Sequence, residues 1–524
     1  MDRVWILVAF VAYLLVMLLI GFIYFNKTKN AEDYFLGGRK LNGWVAALSA
    51  QASDMSGWLL MGLPGTIYAL GTGQIWIAVG LAIGTLLNWV IVAARLRRYT
   101  MRAGNSLTLP EYFENRFHDK TKILRVASSL FIMVFFLVYT ASGFSAGAKL
   151  FSSVFGIDYK IALAIGALVI LGYTFLGGFM AVCITDFIQG MMMLVALITV
   201  PVLAICMLGG PQQVTEILAT SGVDTAAFLN PFNSGTGENL SAISIISQLG
   251  WALGYFGMPH ILVRFMAIRS HREVKKSRVI AMVWVLLSLG IACLIGVVGR
   301  AYLMPTVLEG SDTENVFIQM IMKVFSSDLA LPFIGGLFLC GILAAIMSTA
   351  DSQLLVTASS ISEDIYKGVI NKKATDRSML RVSRIVVFGV ALVAFLFALD
   401  PKSSVMGLVS NAWAGFGAAF GPVVLLSLFW KRANWQGAAS GMIAGGLTVI
   451  IWDYIPFFGK IVSGGEEAAG TLGNVTGLYS LVVGFAVGAA VIVIVSLLTK
   501  APSEEMLREF EEVKNNKKLE ITAE

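Results

Sequence analysis

Gln51-Ala52-Ser53-Asp54-Met55-Ser56-Gly57-Trp58, followed by Gly62, Pro64 and Gly65, lies inside an apolar run over 43–69. A helix of that length crosses a bilayer, yet this one carries a carboxylate about a dozen residues from its end and helix breakers just beyond it. In hydrocarbon every backbone N–H and C=O needs an internal partner, so irregular backbone at mid-depth persists only where it lines a cavity. An ionisable side chain there costs several kcal/mol unless it is paired, hydrated or bound to a cation. Asp54 is therefore either a carboxyl bonded to neighbouring hydroxyls such as Ser53 or Ser56, or part of a cation pathway.

A second run, 240–260, is interrupted in the same way by Gly250-Trp251-Ala252-Leu253-Gly254-Tyr255-Phe256-Gly257-Met258-Pro259-His260. Four predicted helices intervene, so the two broken helices open two blocks of five, helices 2–6 and 7–11. An odd block size inverts the second block relative to the first, which is the design of inverted-repeat secondary transporters. Two ordinary kinked helices would give the same spacing, since the blocks share no evident residue-level identity.

The whole chain fits a membrane setting. Of 524 residues, 57% are hydrophobic and 13% charged, about half the roughly 25% charge of ordinary soluble domains. Mean hydropathy is +0.79. A soluble enzyme is excluded. Thirteen apolar runs are predicted near 3–25, 43–69, 73–95, 123–155, 161–180, 184–209, 240–260, 277–303, 329–350, 382–399, 403–429, 437–456 and 474–498. The first is expected to be retained, because no small-residue cleavage pattern follows it before Lys27–Lys29. The 53 glycines suit close helix packing. Cys183, Cys206, Cys293 and Cys340 have neither zinc-site nor disulfide-framework spacing and read as small buried residues.

Basic residues set the expected orientation. With the N-terminus outside, only seven of 38 lie on outer connections (Arg3, Lys149, Lys160, Arg300, Lys323, Lys402 and Lys460), and the C-terminus is cytoplasmic. Inner loops 96–122 and 261–276 are dense in Lys and Arg, so the formal +6 charge is topological and no nucleic-acid partner is called for. The expected organisation is a first helix and cytoplasmic loop (1–42), a first five-helix repeat (43–209), an acidic extracellular loop without a basic residue (210–239), a second repeat (240–429), two further helices (430–499) and a tail (500–524). In that tail Met506, Leu507, Phe510 and Val513 have helical spacing, which predicts a short interfacial or soluble helix.

A second polar cluster lies at Ala345-Ile346-Met347-Ser348-Thr349. Ala345, Ser348 and Thr349 share one helix face. Their hydroxyls either bond back to their own turn or join carbonyls freed by the broken helix in an all-oxygen shell, the ligand set of hard cations. Asp186 is expected at the cytoplasmic start of the sixth helix, as a terminal acid or a functional one. Tyr139, Trp251 and Tyr255 read as packing or pocket aromatics, and His260 as an interfacial residue. No HExxH, GxSxG or P-loop occurs, and acids other than Asp54 fall at or near predicted helix ends, which argues against an intramembrane protease or other enzyme.

At these residues the chain resembles the sodium:solute symporter family, over essentially its whole length. The resemblance rests on Glu32-Asp33-Tyr34-Phe35-Leu36-Gly37-Gly38-Arg39, Asp54-Met55-Ser56-Gly57-Trp58-Leu59-Leu60-Met61-Gly62-Leu63-Pro64-Gly65, Gly254-Tyr255-Phe256-Gly257-Met258-Pro259-His260 and Ala344-Ala345-Ile346-Met347-Ser348-Thr349. The aromatics of the seventh helix look like the proline branch. The resemblance implies an all-α polytopic fold of about thirteen transmembrane helices, a LeuT-type five-plus-five inverted repeat with flanking helices, in the cell membrane. It also implies sodium-coupled uptake of L-proline by alternating access, with sodium as coupling ion, no cofactor and no obligate protein partner. Sodium would be bound by the carbonyls of Ala52, Met55 and Ala345 and the hydroxyls of Ser348 and Thr349. Proline would be held near Trp58, Tyr139, Trp251, Tyr255 and Pro259. Asp54, Ser56 and Gly57 would couple the two, and Arg39 and Asp186 would act in cytoplasmic gating. The residues alone leave betaine, other amino acids and pantothenate open as substrates, and a cation channel or a membrane sensor as other classes.

Overall fold

A computed structural model of the chain describes residues 2–25, 35–174, 179–463 and 470–515. Lys27–Lys29, the Glu32–Tyr34 part of the first motif, the end of the fifth run at 175–178 and the tail beyond 515 lie outside the described residues. Among those described, no strand forms; the chain is helical throughout, with isolated bridges such as Leu41 to Ile268.

Among the described residues, each predicted run overlaps helix. The helices are α1 (Asp2–Phe25), α2a (Gly43–Asp54) and α2b (Trp58–Leu70), α3 (Thr72–Arg102), α4 (Ile123–Phe155), α5 (Tyr159–Thr174) and α6 (Phe179–Leu208). After the 210–239 segment come α7a (Ala242–Phe256) and α7b (Pro259–Ala267), α8 (His271–Tyr302), α9 (Pro332–Ile370), α10 (Asp376–Phe397), α11 (Val405–Phe429), α12 (Trp435–Tyr454) and α13 (Ser480–Leu498). Among the described residues, nine helices are long and apolar enough to cross a membrane by length and composition. Large apolar side chains face outward in stripes: Ile385, Phe388, Leu392 and Leu396 of α10 are exposed, while Val387, Val390, Ala391 and Ala394 on its other side are buried. Apolar side chains turned out in helical register suit lipid as solvent.

Small residues set the closest contacts. α12 carries glycines at 437, 441 and 445, one per turn, against Gly484 and Gly488 of α13. A Cβ at Gly445 would lie 2.3 Å from the carbonyl oxygen of Ala418 on α11. Three backbones thus meet where larger side chains would hold them apart.

The helices run past their expected inner ends. α9 does not stop near 350 but continues in wider π-type turns to Ile370, so Asp351 lies within it, fully buried. α6 begins at Phe179, five residues early, so Asp186 sits inside the helix at 0% exposure and is not a terminal acid facing solvent. His260, expected at the interface, is buried in α7b, and Cys206 is exposed, unlike the other three cysteines. A hydropathy window ends at the first charges, whereas helical hydrogen bonding continues as long as neighbouring helices cover the polar groups.

The two ends of the bundle differ in chemistry. On one end Glu314 accepts from Lys149 Nζ (2.5 Å), Ser404 Oγ (2.8 Å) and the N–H groups of Val405 and Met406 (both 3.0 Å), tying the 310–328 segment to α4 and α11. On the other end the tail helix Glu504–Asn515 buries Met506, Phe510 and Val513 against the 93–118 region, and Arg102 pairs with Glu509 (3.3 Å) and Glu512 (2.7 Å).

Candidate functional site

α2 breaks at Met55-Ser56-Gly57. The Met55 N–H still closes the last turn on Gln51 O (2.8 Å), and ψ then turns to +79°. Gly57 is required on steric grounds, since a Cβ there would lie 2.8 Å from the Ala146 Cβ of α4. α7 breaks at Gly257-Met258, with tighter 3₁₀ turns over Gly250–Phe256 before it and Pro259 opening α7b. Proline suits that first position because it has no N–H to leave unpaired.

The two breaks face each other. Tyr255 donates its phenol hydrogen to Asp54 Oδ2 at 2.7 Å. The Asp54 carbonyl accepts from Trp58 Nε1 (2.9 Å) and from the Tyr139 hydroxyl (3.4 Å). All four side chains are no more than 1% exposed. Asp54 is thus paired across the breaks and not to Ser53 or Ser56: the Ser53 hydroxyl bonds back to Ala50 O, and Ser56 Oγ accepts from the Trp58 N–H.

Beside this pair the end of α2a meets α9. Ser348 Oγ donates to Ala52 O (2.8 Å) and Ala345 O (3.1 Å), and Thr349 Oγ1 reaches Ala52 O (3.4 Å) and Ala345 O (3.1 Å). Four oxygens from two helices therefore cluster in a buried position. Both expected roles of the hydroxyls, back-bonding and cross-helix contact, occur at once. Met55 follows in the same turn of α2, where its thioether receives Trp284 Nε1 (3.0 Å) and Ser288 Oγ (3.3 Å) from α8.

The remaining residues lie apart from these clusters. Trp251 stacks between Trp413 (6.2 Å) and Tyr479 (5.5 Å), and its carbonyl accepts from Trp413 Nε1 (2.8 Å). Trp413 also packs edge-on to Tyr255 at 5.0 Å, so Trp251 reaches the centre through it. Asp186 pairs with Arg264 of α7b (3.0 Å) and accepts from Ser49 of α2a (2.7 Å). Arg264 also bonds Ser352 Oγ (2.6 Å) and His260 O (2.8 Å), and Ser352 Oγ lies 3.5 Å from Asp351 Oδ1. Arg39 binds Met266 O (2.7 Å), Ser106 O (2.9 Å) and Asn105 Oδ1 (2.9 Å). Arg97 binds Ile268 O (2.5 Å) and Arg269 O (2.7 Å), and Leu41 exchanges backbone bonds with Ala267 and Arg269. A strap at residues 39–41 thus fastens the C-terminal end of α7b.

Sequence reasoning missed Arg264, Asp351, Ser352 and Trp413. Arg264 stands one turn after His260 and Asp351 one turn after Ser348, so helical spacing from residues already singled out would have found both.

A bundle whose two broken helices meet over a buried carboxylate is built like a secondary transporter. The chain belongs to the sodium:solute symporter family, whose model matches residues 34–445. It is 46% identical over 510 residues to the sodium/proline symporter of Escherichia coli (strain K12), covering 97% of this chain and 95% of that one. The high-affinity proline transporter PutP of Bacillus subtilis is 46% identical (94% and 98% covered), and the osmoregulated proline transporter OpuE of the same organism 42% identical (96% and 97% covered). Among solved structures, a sodium-coupled sialic acid symporter in a substrate-bound outward-open state superposes with a TM-score of 0.76 at 21% identity, over 95% of this chain and 98% of that one. A nucleobase-cation-symport-1 family transporter in a closed conformation superposes at 0.51, with 13% identity and 92% and 99% covered. The fold is the all-α, LeuT-type five-plus-five arrangement expected from the sequence.

Proposed function

We propose that this chain carries L-proline into the cell with sodium, by alternating access, and that it performs no chemistry on its substrate. The observation that carries this reading is the junction of the two broken helices: a buried carboxylate bridged by Tyr255 beside a four-oxygen cluster from α2a and α9. An oxygen-only shell suits a hard cation such as sodium, and an aromatic wall suits a compact ammonium-bearing ring. Relatives named as proline transporters at 42–46% identity support proline over betaine, other amino acids or pantothenate.

In this reading Ala52, Met55, Ala345, Ser348 and Thr349 hold sodium, and Trp58, Tyr139, Trp251, Tyr255 and Pro259 surround proline. Asp54, Ser56 and Gly57 couple the two, while Arg39 and Asp186 govern the inner side. The repeats are 43–209 and 240–429. The N-terminus faces outward and the C-terminus the cytoplasm of a bacterial cell; the Lys/Arg bias supports this, as does the docking of the tail helix on the basic 93–118 region.

The test is uptake of labelled L-proline into proteoliposomes. Proline should accumulate under an inward sodium gradient and little under potassium alone. Equal accumulation in both salts overturns the coupling. Sodium flux that continues without proline and does not saturate identifies a channel instead.

A further inference from the structure

Three polar atoms around Tyr255 are buried with no hydrogen-bond partner: Asp54 Oδ1, Thr85 Oγ1 and Asn88 Oδ1. Two of them belong to α3, a helix to which no binding role attaches so far. α3 runs beside α7a at backbone distance, since a Cβ at Gly84 would lie 2.5 Å from Ala252 O and 2.8 Å from the Tyr255 ring. One turn further, Asn88 donates from Nδ2 to the Tyr255 carbonyl at 2.9 Å. A carbonyl only accepts, so this bond fixes the amide: Nδ2 lies on the backbone and Oδ1 turns away from it as a free acceptor. Thr85, three residues earlier, shares that helix face. Its hydroxyl lies beside the Tyr255 phenol, toward which it can turn its hydrogen, leaving the Oγ1 lone pairs without a donor. α3 therefore frames Tyr255 at both ends, the phenol by Thr85 and the carbonyl by Asn88.

All three unpartnered atoms can accept, and a buried acceptor left alone is destabilising. The guest that satisfies such a set brings donors and positive charge. We propose that Asn88 and Thr85 are substrate-binding residues which, with Asp54, take the N–H groups of the substrate's ammonium. A secondary ammonium has two such hydrogens for three acceptors, so Thr85, the neutral hydroxyl of the set, shares a hydrogen with Asp54 while Asn88 takes the other, and the ring nitrogen points toward α3. The Asn88 side chain then serves both partners at once, holding the Tyr255 backbone through Nδ2 and the substrate through Oδ1. This deepens the proline reading and rests on it.

N-methyl-L-proline, which has one N–H fewer, is the probe. In proteoliposomes under a sodium gradient, its competition against labelled L-proline uptake is measured for the parent and for Asn88→Leu and Thr85→Val, which replace each acceptor by an apolar group of similar size. The parent should need at least about tenfold more N-methyl-L-proline than L-proline for equal inhibition, as expected when a charge-assisted hydrogen bond is lost. Asn88→Leu should raise half-saturating L-proline about tenfold and narrow the discrimination to within about threefold. Sodium dependence at saturating proline should stay at the parent value. A variant that loses proline affinity but keeps the parent's discrimination overturns the direct contact and leaves Asn88 a positioning residue. A parent that does not discriminate overturns it without any variant. Should Asn88→Leu fail to insert, Thr85→Val and the parent measurement decide. A parent that accumulates no proline at all refutes the underlying reading instead.

Discussion

Replacing Tyr255 by Phe removes one oxygen and leaves the ring where it is. The ring packs edge-on to Trp413 at 5.0 Å and is 1% exposed, so apolar burial and the aromatic contact survive the change. What is lost is the 2.7 Å bond to Asp54 Oδ2. Asp54 Oδ1 has no partner already, so both carboxylate oxygens would then be bare in a buried site. A hydrogen bond to a charged group contributes about 1.5–3 kcal/mol, and about 1.4 kcal/mol corresponds to tenfold in an equilibrium constant. Half-saturating proline should therefore rise roughly 10- to 100-fold. The assay is the initial rate of labelled proline uptake at matched protein density, titrated in proline at saturating sodium. Adding Asp54→Asn to Tyr255→Phe should cost less than Asp54→Asn does in the parent, because the pair acts as a unit. If Tyr255→Phe titrates like the parent, Tyr255 is a packing residue and the bridge between the broken helices has no part in binding.

Other perturbations separate the four-oxygen cluster, the Asp186–Arg264 network and the helix packing. Thr349→Val and Ser348→Ala should each raise the sodium concentration for half-maximal uptake, while Thr349→Ser, which keeps the oxygen, should stay near the parent; sodium titrations of proline uptake decide, and a parent-like Thr349→Val removes that residue from the ion site. Arg264→Gln leaves Asp186 buried without its cation and should destabilise the protein by about 3–5 kcal/mol. Detergent melting curves should show part of that loss restored on adding Asp186→Asn, and no restoration would mean that the pair is not coupled. Gly445→Val forces side-chain atoms against Ala418 O and should lower stability by about 1–3 kcal/mol, whereas Gly290→Ala, with open space at its Cβ, should melt like the parent.

The broken helices and the buried Asp54 were legible because each violates a rule that lipid enforces on ordinary helices, and the Ser348–Thr349 face because its hydroxyls share one side of a helix. The Asp186–Arg264 network was not. Asp351, Ser352 and Gln353 follow an apolar run directly, and hydropathy reads such a run-out as the water interface. In the fold those three side chains are at most 1% exposed, because neighbouring helices cover this part of α9. Whether a polar residue meets water or protein is decided by helices distant in sequence, as Arg264 and Asp186 are, separated by 78 positions. For the same reason Asn88 gave no signal. One polar residue inside α3 is unremarkable until the carbonyl it holds is seen to lie in a broken turn of α7a.

The strap over α7b bears on how that helix end can move. The carbonyls of Met266, Ile268 and Arg269 are each held by a guanidinium, from Arg39 or Arg97, and Leu41 adds two backbone bonds in the same place. α7b cannot swing away from this end without breaking them together. Each charge-assisted bond is worth about 1.5–3 kcal/mol, well above thermal energy. A partial displacement would strand buried guanidinium groups without new partners. Release of this end of α7b is therefore cooperative: the bonds from Arg39, Leu41 and Arg97 hold together or are lost together.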